Sequence, residues 1–302
     1  MADGAGPLRS TEADAFTHSL TADGYALIDL SGDEYALRLC DEANAQMEAW
    51  HGRGFNRVQD AWRRAPAVRA LASLPQIAAA LERAYGAKPF PFQTLNFLMG
   101  SQQRAHADTI HFTQEPAHLM CGVWLALEDA REEAGPLFYY PGSHKLPVMD
   151  LKGAGAPDAA DPIAAYRSFY EPAMAARLQR GGFTRRIALL KKGQALVWAA
   201  NLAHGGTPVT DRGMTRRSLV THYFFQGGDY YTLMHSGAGG RRHYRLPTDI
   251  RTGRFVWPRR GRPALKTIAA AARARIARTV HTFGALSPLP QTQPDPARDR
   301  GM

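Results

Sequence analysis

Cysteine is scarce in this chain, long apolar runs are missing, and acidic residues thin out toward its end. Of 302 residues only Cys40 and Cys121 are cysteines, each in an apolar surrounding (ALRLCDEA and LMCGVW). This excludes a disulfide framework and points to reduced core residues in a reducing compartment. No run reaches the roughly 18 apolar residues that a membrane-spanning helix needs. The opening MADGAGPLRS has no basic segment followed by an apolar one, so no secretory signal is read and cytoplasmic localisation is expected. No internal repeat is found, which argues against a solenoid. From Ala203 onward 17 Lys and Arg face 5 Asp and Glu, more imbalance than the whole formal charge of +10, so the first two thirds are slightly acidic. Arg241, Arg242, Arg245, Arg251, Arg254, Arg259, Arg260 and Arg262 make a basic segment suited to an anionic partner or to solvent.

What is present is the composition of a folded globular chain, 45% hydrophobic and 21% charged, long enough for one large domain. Up to about Arg83 the pattern predicts two or three helices. The apolar segment from Tyr25 to Leu30 suits a strand at a sheet edge. PQIAAALERAYG, from Pro75 to Gly86, carries a proline start and a glycine stop. From Phe90 the texture becomes short aromatic and β-branched runs separated by Gly and Pro: FQTLNFLM, CGVWLALED, PLFYYPGS, RIALL, QALVWAAN and RSLVTHYFF. Six or more such runs predict an all-β sandwich, jelly roll or barrel over about 88–235. Lys152 to Gly182 reads as a loop and helix inserted between strands, a natural lid. An amphipathic helix with an arginine-bearing face is expected over about 263–283. The proline-rich segment 286–302 reads as a disordered tail, leaving one domain over 1–285.

The informative stretch for chemistry is Gln103-Arg-Ala-His-Ala-Asp-Thr-Ile-His111. Residues two apart in extended chain point the same way, so His106 and Asp108 can present an imidazole and a carboxylate to one point. A third ligand must come from elsewhere. His204, in WAANLAHGGTP, follows an apolar strand and precedes a Gly-Gly turn, which makes it the best candidate. Two histidines and a carboxylate on one face of an octahedron leave three positions for O2 and a bidentate 2-oxo acid. Thr215 to Phe224 reads as a period-2 strand on which Arg216 and Ser218 share a face and can grip a distal carboxylate. Alternation turns the adjacent Arg217 the other way. His118, His144 and His222 are alternative ligands. His222 falls on the Arg216 face, in or near the pocket, and His144 closes a Pro-Gly-Ser-His turn in a structural or mouth-lining role. His111 is either substrate-facing or a loop residue.

The sequence resembles the phytanoyl-CoA dioxygenase family, a branch of the Fe(II)/2-oxoglutarate oxygenases. The resemblance is carried in order by Asp23-Gly24-Tyr25, His106-x-Asp108, Trp124-Leu-Ala-Leu-Glu-Asp129, Gly135 to His144, His204-Gly-Gly and Arg216-x-Ser218, over roughly residues 15 to 235. It implies a mainly β, cupin-like double-stranded β-helix (jelly roll) with flanking helices. His106, Asp108 and His204 resemble the Fe(II) ligands, and Arg216, with Ser218 beside it, the partner of the 2-oxoglutarate 5-carboxylate. Trp124 resembles an aromatic wall of the cosubstrate pocket, and Asn96 a further contact. His111, His144 and His222 are then expected near the substrate. Relatives often carry Ser two residues after the distal histidine. Here Gly206 stands there and Thr207 follows, so a cosubstrate hydrogen bond is either missing or supplied by Thr207. The implied reaction uses O2 to oxidise, most simply to hydroxylate, a small anionic or carrier-linked substrate, with release of succinate and CO2.

Two other readings remain. One is a cupin-like metal enzyme that does not use 2-oxoglutarate, against which Arg216 and Ser218 stand. The other is a non-enzymatic basic binding protein. No nucleic-acid module is recognised, so no specific nucleic-acid partner is expected. The sequence does not fix the oligomeric state.

Overall fold

The computed structural model describes residues 10–116, 119–158, 160–236 and 242–280. Helix α1 (Ser10–Asp23) leads into strand β1 (Tyr25–Asp29). Helix α2 (Glu34–His51) is started by Asp33, whose Oδ1 accepts from the backbone N–H groups of Tyr35 and Ala36. Its buried residues, Ala36, Leu39, Cys40, Ala43, Met47 and Trp50, recur every three or four positions and form one stripe. Strand β2 (Arg57–Gln59) and helix α3 (Pro66–Leu71) precede helix α4 (Pro75–Tyr85), which has Pro75 in its first turn and stops at Gly86 with φ 64°. β2 lies in a stretch whose pattern predicts only helix and the edge strand. Three residues carry no periodicity of their own, and it is pairing with a neighbour that makes them a strand.

Eight of the next strands and two helices complete the site-bearing part. They are β3 (Pro89–Phe97), β4 (Thr113–Glu115), β5 (Met120–Ala126), β6 (Leu137–Tyr139), α5 (Pro162–Ala165), α6 (Glu171–Arg180), β7 (Arg186–Ile187), β8 (Gln194–Ala199), β9 (His204–Gly206) and β10 (Ser218–Phe225). Strands β11 (Asp229–Thr232) and β12 (His243–Tyr244) and helix α7 (Leu265–Val280) follow. The major sheet is antiparallel in the order β1-β8-β5-β10-β3-β2, so the Tyr25 segment is the expected edge strand. Two three-stranded sheets, β7-β6-β9 and β12-β11-β4, complete the barrel. The expected mainly β jelly roll with flanking helices is observed.

Alternation along the strands divides two cores. Cys121, Val123 and Leu125 of β5, Ala195 and Val197 of β8, and Leu219, Tyr223 and Phe225 of β10 pack outward with α1–α4. Trp124 and Ala126, Leu196 and Trp198, and Val220 face inward, toward Leu137 and Tyr139 of the small sheet. Because both faces are covered, β5 and β10 are buried at every residue. Gly122 lies opposite Trp198 in register, and a Cβ placed on it would clash with Cε2 and Cζ2 of the indole. Gly122→Ala is therefore expected to cost about 1–3 kcal/mol of stability as an overpacking change, measured by urea unfolding.

The inserted segment closes one end. α5 runs through a π-helical turn, Tyr166–Tyr170, into α6. Tyr166, Tyr170, Met174 and Leu178 pack on Ala107, Ile110 and Ala203, the chain beside the candidate ligands. The basic segment is in part paired internally, Arg242 with Glu115 at 2.7 Å and Arg251 with Asp249 at 3.0 Å. No helix among the described residues is long and apolar enough to cross a membrane. His118, Arg241 and the proline-rich 286–302 lie outside the described residues.

Candidate metal centre and cosubstrate pocket

The turn from Ala105 to His111 is clipped to the chain around β9 from both sides. His106 and His204 exchange backbone hydrogen bonds, His106 N–H to His204 O at 3.0 Å and His204 N–H to His106 O at 2.9 Å. Thr109 N–H donates to Ala200 O, and its hydroxyl donates to Asn201 Oδ1 at 3.0 Å. Asn201 in turn donates to the carbonyls of His144 and Leu146. These contacts bring His106, Asp108 and His204 together, all buried, with ligand atoms within 4.8 Å of one another.

The chemistry of this set fits a divalent transition metal. His106 Nδ1 lies 2.9 Å from Arg104 O and His204 Nδ1 lies 2.9 Å from Leu202 O. A carbonyl can only accept, so each Nδ1 carries the hydrogen and each Nε2 turns its lone pair inward. The two Nε2 atoms stand 4.0 and 3.9 Å from Asp108 Oδ1. Burial pushes the His106 imidazole down to about 3 and also lowers that of His204, so both stay neutral, as metal ligands must be. Burial alone would raise the Asp108 carboxyl, but the surrounding His204, His222 and His106 outweigh it and hold it well below the usual carboxylate range. Trp198 Nε1 donates to Asp108 Oδ2 at 2.7 Å, leaving Oδ1 toward the histidines. Gln103 Nε2 lies 3.2 Å from His106 Nε2 and donates to its lone pair.

Trp198 fixes the orientation of this carboxylate. Removal of such an outer partner commonly costs 10- to 100-fold in metal affinity. Trp198→Phe is expected to lower Fe(II) affinity within that range while leaving the ligand set intact, as measured by anaerobic metal titration.

The three residues open on a cavity of about 240 Å³. Trp124 and Arg216 line it at one end, and Gln59, Gln93, His111, Phe112 and His222 elsewhere. The Arg216 guanidinium lies over Phe97 at 5.4 Å and Trp124 at 5.5 Å. It is 3% exposed, its Nε has no partner, and Nη2 makes a 3.3 Å contact to Met99 O. No carboxylate among the described residues pairs with it. Burial lowers it to about 10, so the charge persists at neutral pH. Ser218 shares the inward strand face and its buried Oγ is also unpartnered, but it is not among the residues that line the cavity. Arg217 turns outward to Glu48 and Glu128, as alternation requires.

Two further expected residues are not brought to the cavity. Gln93, Leu95 and Phe97 of β3 line it, so Asn96 points to the opposite face, opposite the outward-packed Leu219 and Val58, with neither amide atom partnered. His144 turns toward α1, its Nε2 3.0 Å from the Thr21 carbonyl, and it holds the Pro-Gly-Ser-His turn to that helix. Of the two alternatives for the cosubstrate hydrogen bond, the Thr207 hydroxyl is already committed, since it donates to Pro136 O at 3.1 Å. At Gly206 a Cβ would meet Ser101 Oγ at 2.7 Å, so the hydroxyl of Ser101, which lines the cavity, fills the space a serine at 206 would take. His222 lies on the wall, 3.5 Å from Asp108 Oδ2, and His111 faces Tyr166 at 5.2 Å between ring centroids.

A sequence model of the phytanoyl-CoA dioxygenase (PhyH) family matches residues 36–218. No curated protein matches the chain significantly by sequence. Among solved structures, the epimerase SnoN in complex with Fe3+, alpha ketoglutarate and nogalamycin RO superposes with a TM-score of 0.58 at 22% identity, over 75% of this chain and 88% of its own. The alpha ketoglutarate dependent carbocyclase SnoK from nogalamycin biosynthesis gives 0.59 at 18% identity, over 78% and 91%. EctD from S. alaskensis with bound Fe gives 0.53 at 15%, over 74% and 79%. At these identities the likeness carries the fold. The chain belongs to the phytanoyl-CoA dioxygenase family of Fe(II)/2-oxoglutarate-dependent oxygenases.

Proposed function

We propose that His106, Asp108 and His204 hold Fe(II), that Arg216 with Trp124 and Ser218 binds 2-oxoglutarate, and that the enzyme hydroxylates an unactivated C–H bond of a small anionic or carrier-linked molecule. The observation that carries this reading is Arg216, a buried guanidinium without a carboxylate partner among the described residues, in the same cavity as the ligand set. An isolated buried charge is costly, and a dicarboxylate that presents its far carboxylate to the fork removes the cost. Phe97 and Trp124 flank the guanidinium and shield that pair from water.

When bound, ferrous iron would activate O2 as the oxidant, with two electrons from 2-oxoglutarate, released as succinate and CO2, and two from the substrate C–H bond. The chain's own residues set the geometry. Trp198 and two backbone carbonyls orient the ligands, and Arg216 fixes how far 2-oxoglutarate reaches toward them. Asp108 occupies the carboxylate position, which leaves no ligand place for a halide and favours hydroxylation over halogenation. His111, His222, Gln59 and Gln93 on the remaining wall are the residues to aim the substrate.

The test is equilibrium binding of 2-oxoglutarate to the anaerobic ferrous protein. Binding that requires iron supports the reading. Metal binding without 2-oxoglutarate binding would favour a cupin-like enzyme of other chemistry.

A further inference from the structure

A second cavity of about 270 Å³ adjoins the first and shares Gln59 and Gln93 with it. Two guanidinium groups line it, Arg63 and Arg245. Asp60, also on its wall, is already committed. Its Oδ1 accepts from Trp62 Nε1 at 3.1 Å and from Thr94 N–H at 3.2 Å, and its Oδ2 faces Arg63 at 3.5 Å. Asp60 thus balances Arg63, although Arg63 Nη1 is buried without a partner. Arg245 feels Asp60 only at longer range, without a salt bridge to it. It lies 4.8 Å over the Phe112 ring, it makes no side-chain hydrogen bond, and no carboxylate among the described residues pairs with it. Phe112 in turn lies 5.0 Å from His222, whose Nε2 approaches Asp108. The Arg245 charge therefore stands two aromatic rings from the candidate metal ligands, in a cavity that Arg216 does not line. Burial lowers Arg245 to about 10, so it is charged at neutral pH.

We infer that Arg245, with the free Nη1 of Arg63, forms an oxyanion subsite for the substrate, distinct from the 2-oxoglutarate site. This rests on the function proposed above. The substrate class is then an elongated molecule whose oxidised carbon lies beside His222 and His111 and whose carboxylate or phosphate passes the Phe92–Phe112 pair into the second chamber. Those two rings meet edge to face at 5.2 Å, Phe112 on the first cavity and Phe92 on the second, and give the molecule an apolar wall beside its middle. Gln59 and Gln93, common to both chambers, suit polar groups in the middle of the molecule.

The probes are benzoate, phenyl phosphate and benzamide, titrated calorimetrically into anaerobic protein loaded with Fe(II) and 2-oxoglutarate, so that Arg216 is already occupied. At least one anion should bind about ten- to a hundredfold more tightly than neutral benzamide, the range of a charge-assisted pair, and which anion wins separates carboxylate from phosphate. Arg245→Gln should abolish that preference and Arg245→Lys should keep part of it, with 2-oxoglutarate affinity unchanged in both. Equal binding of all three probes by the wild type overturns the subsite. So does a preference that survives Arg245→Gln, or an Arg245→Gln variant that loses 2-oxoglutarate binding as well. Failure of the wild type itself to bind 2-oxoglutarate would instead overturn the underlying function, and it is read before any probe is added.

Discussion

Arg216→Leu should weaken 2-oxoglutarate binding to the ferrous protein by about thirtyfold to several thousandfold, the 2–5 kcal/mol typical of truncating one partner of a buried charge pair. Iron affinity should not change, because the guanidinium is on the wall of the cavity and is not in the ligand set. A second consequence separates this from simple misfolding. In the absence of cosubstrate the guanidinium is a buried cation with no carboxylate partner, and its environment is Phe97 and Trp124. Exchanging such a charge for an apolar side chain is commonly neutral or stabilising. The variant without 2-oxoglutarate should therefore unfold at the same temperature as the wild type or higher, whereas cosubstrate should raise the wild-type Tm and leave that of the variant unmoved. Lysine at 216 cannot reproduce the two-pronged contact and should restore little.

Asp108→Ala should have the largest effect on turnover, with succinate formation falling to the level of metal-free protein. The carboxylate is the only anionic donor of the set, and it meets both histidines through Oδ1. The loss of iron affinity should exceed the 10- to 100-fold expected for the outer partner Trp198. The substitution also strands the Trp198 Nε1 donor, at a cost of about 1–3 kcal/mol. Asp108→Asn keeps an acceptor for Trp198 and removes the charge. A deficit in iron binding shared by both variants, with the stability loss confined to the alanine, would assign the two effects to their separate causes. Metal content and urea unfolding measure them.

What could be read from the residues was whatever has a short-range signature. His106 and Asp108 are two apart on extended chain, Arg216 and Ser218 share a strand face, and α4 announces itself by Pro75 and Gly86. What could not be read depends on distance along the chain or on strand phase. The bond from Trp198 to Asp108 spans 90 residues, and nothing in QALVWAAN marks that tryptophan as different from core. Asn96 fails for another reason. β3 has apolar residues on both faces, so its sequence has no alternation from which to choose a side, and only its register with β10 and β2 turns Gln93, Leu95 and Phe97 inward. His144 reads as either structural or mouth-lining, and its turn motif does not decide between the two. The turn is near the site, but Thr21 of α1 takes the ring. Ser101 could not be found by motif, since it fills the space left at Gly206 from a separate loop. Arg245 lay within the basic segment but stood out from its neighbours only once Glu115 and Asp249 were seen to neutralise Arg242 and Arg251.

The central claim is that His106, Asp108, His204 and Arg216 act together as one iron and 2-oxoglutarate centre. Its most direct test is succinate release from 2-oxoglutarate by wild-type protein loaded anaerobically with Fe(II) and then exposed to O2. The account predicts slow formation even without substrate, dependent on both iron and O2, and abolished in the Asp108→Ala and Arg216→Leu variants. No succinate from iron-loaded wild type, or equal amounts from the variants, would contradict it.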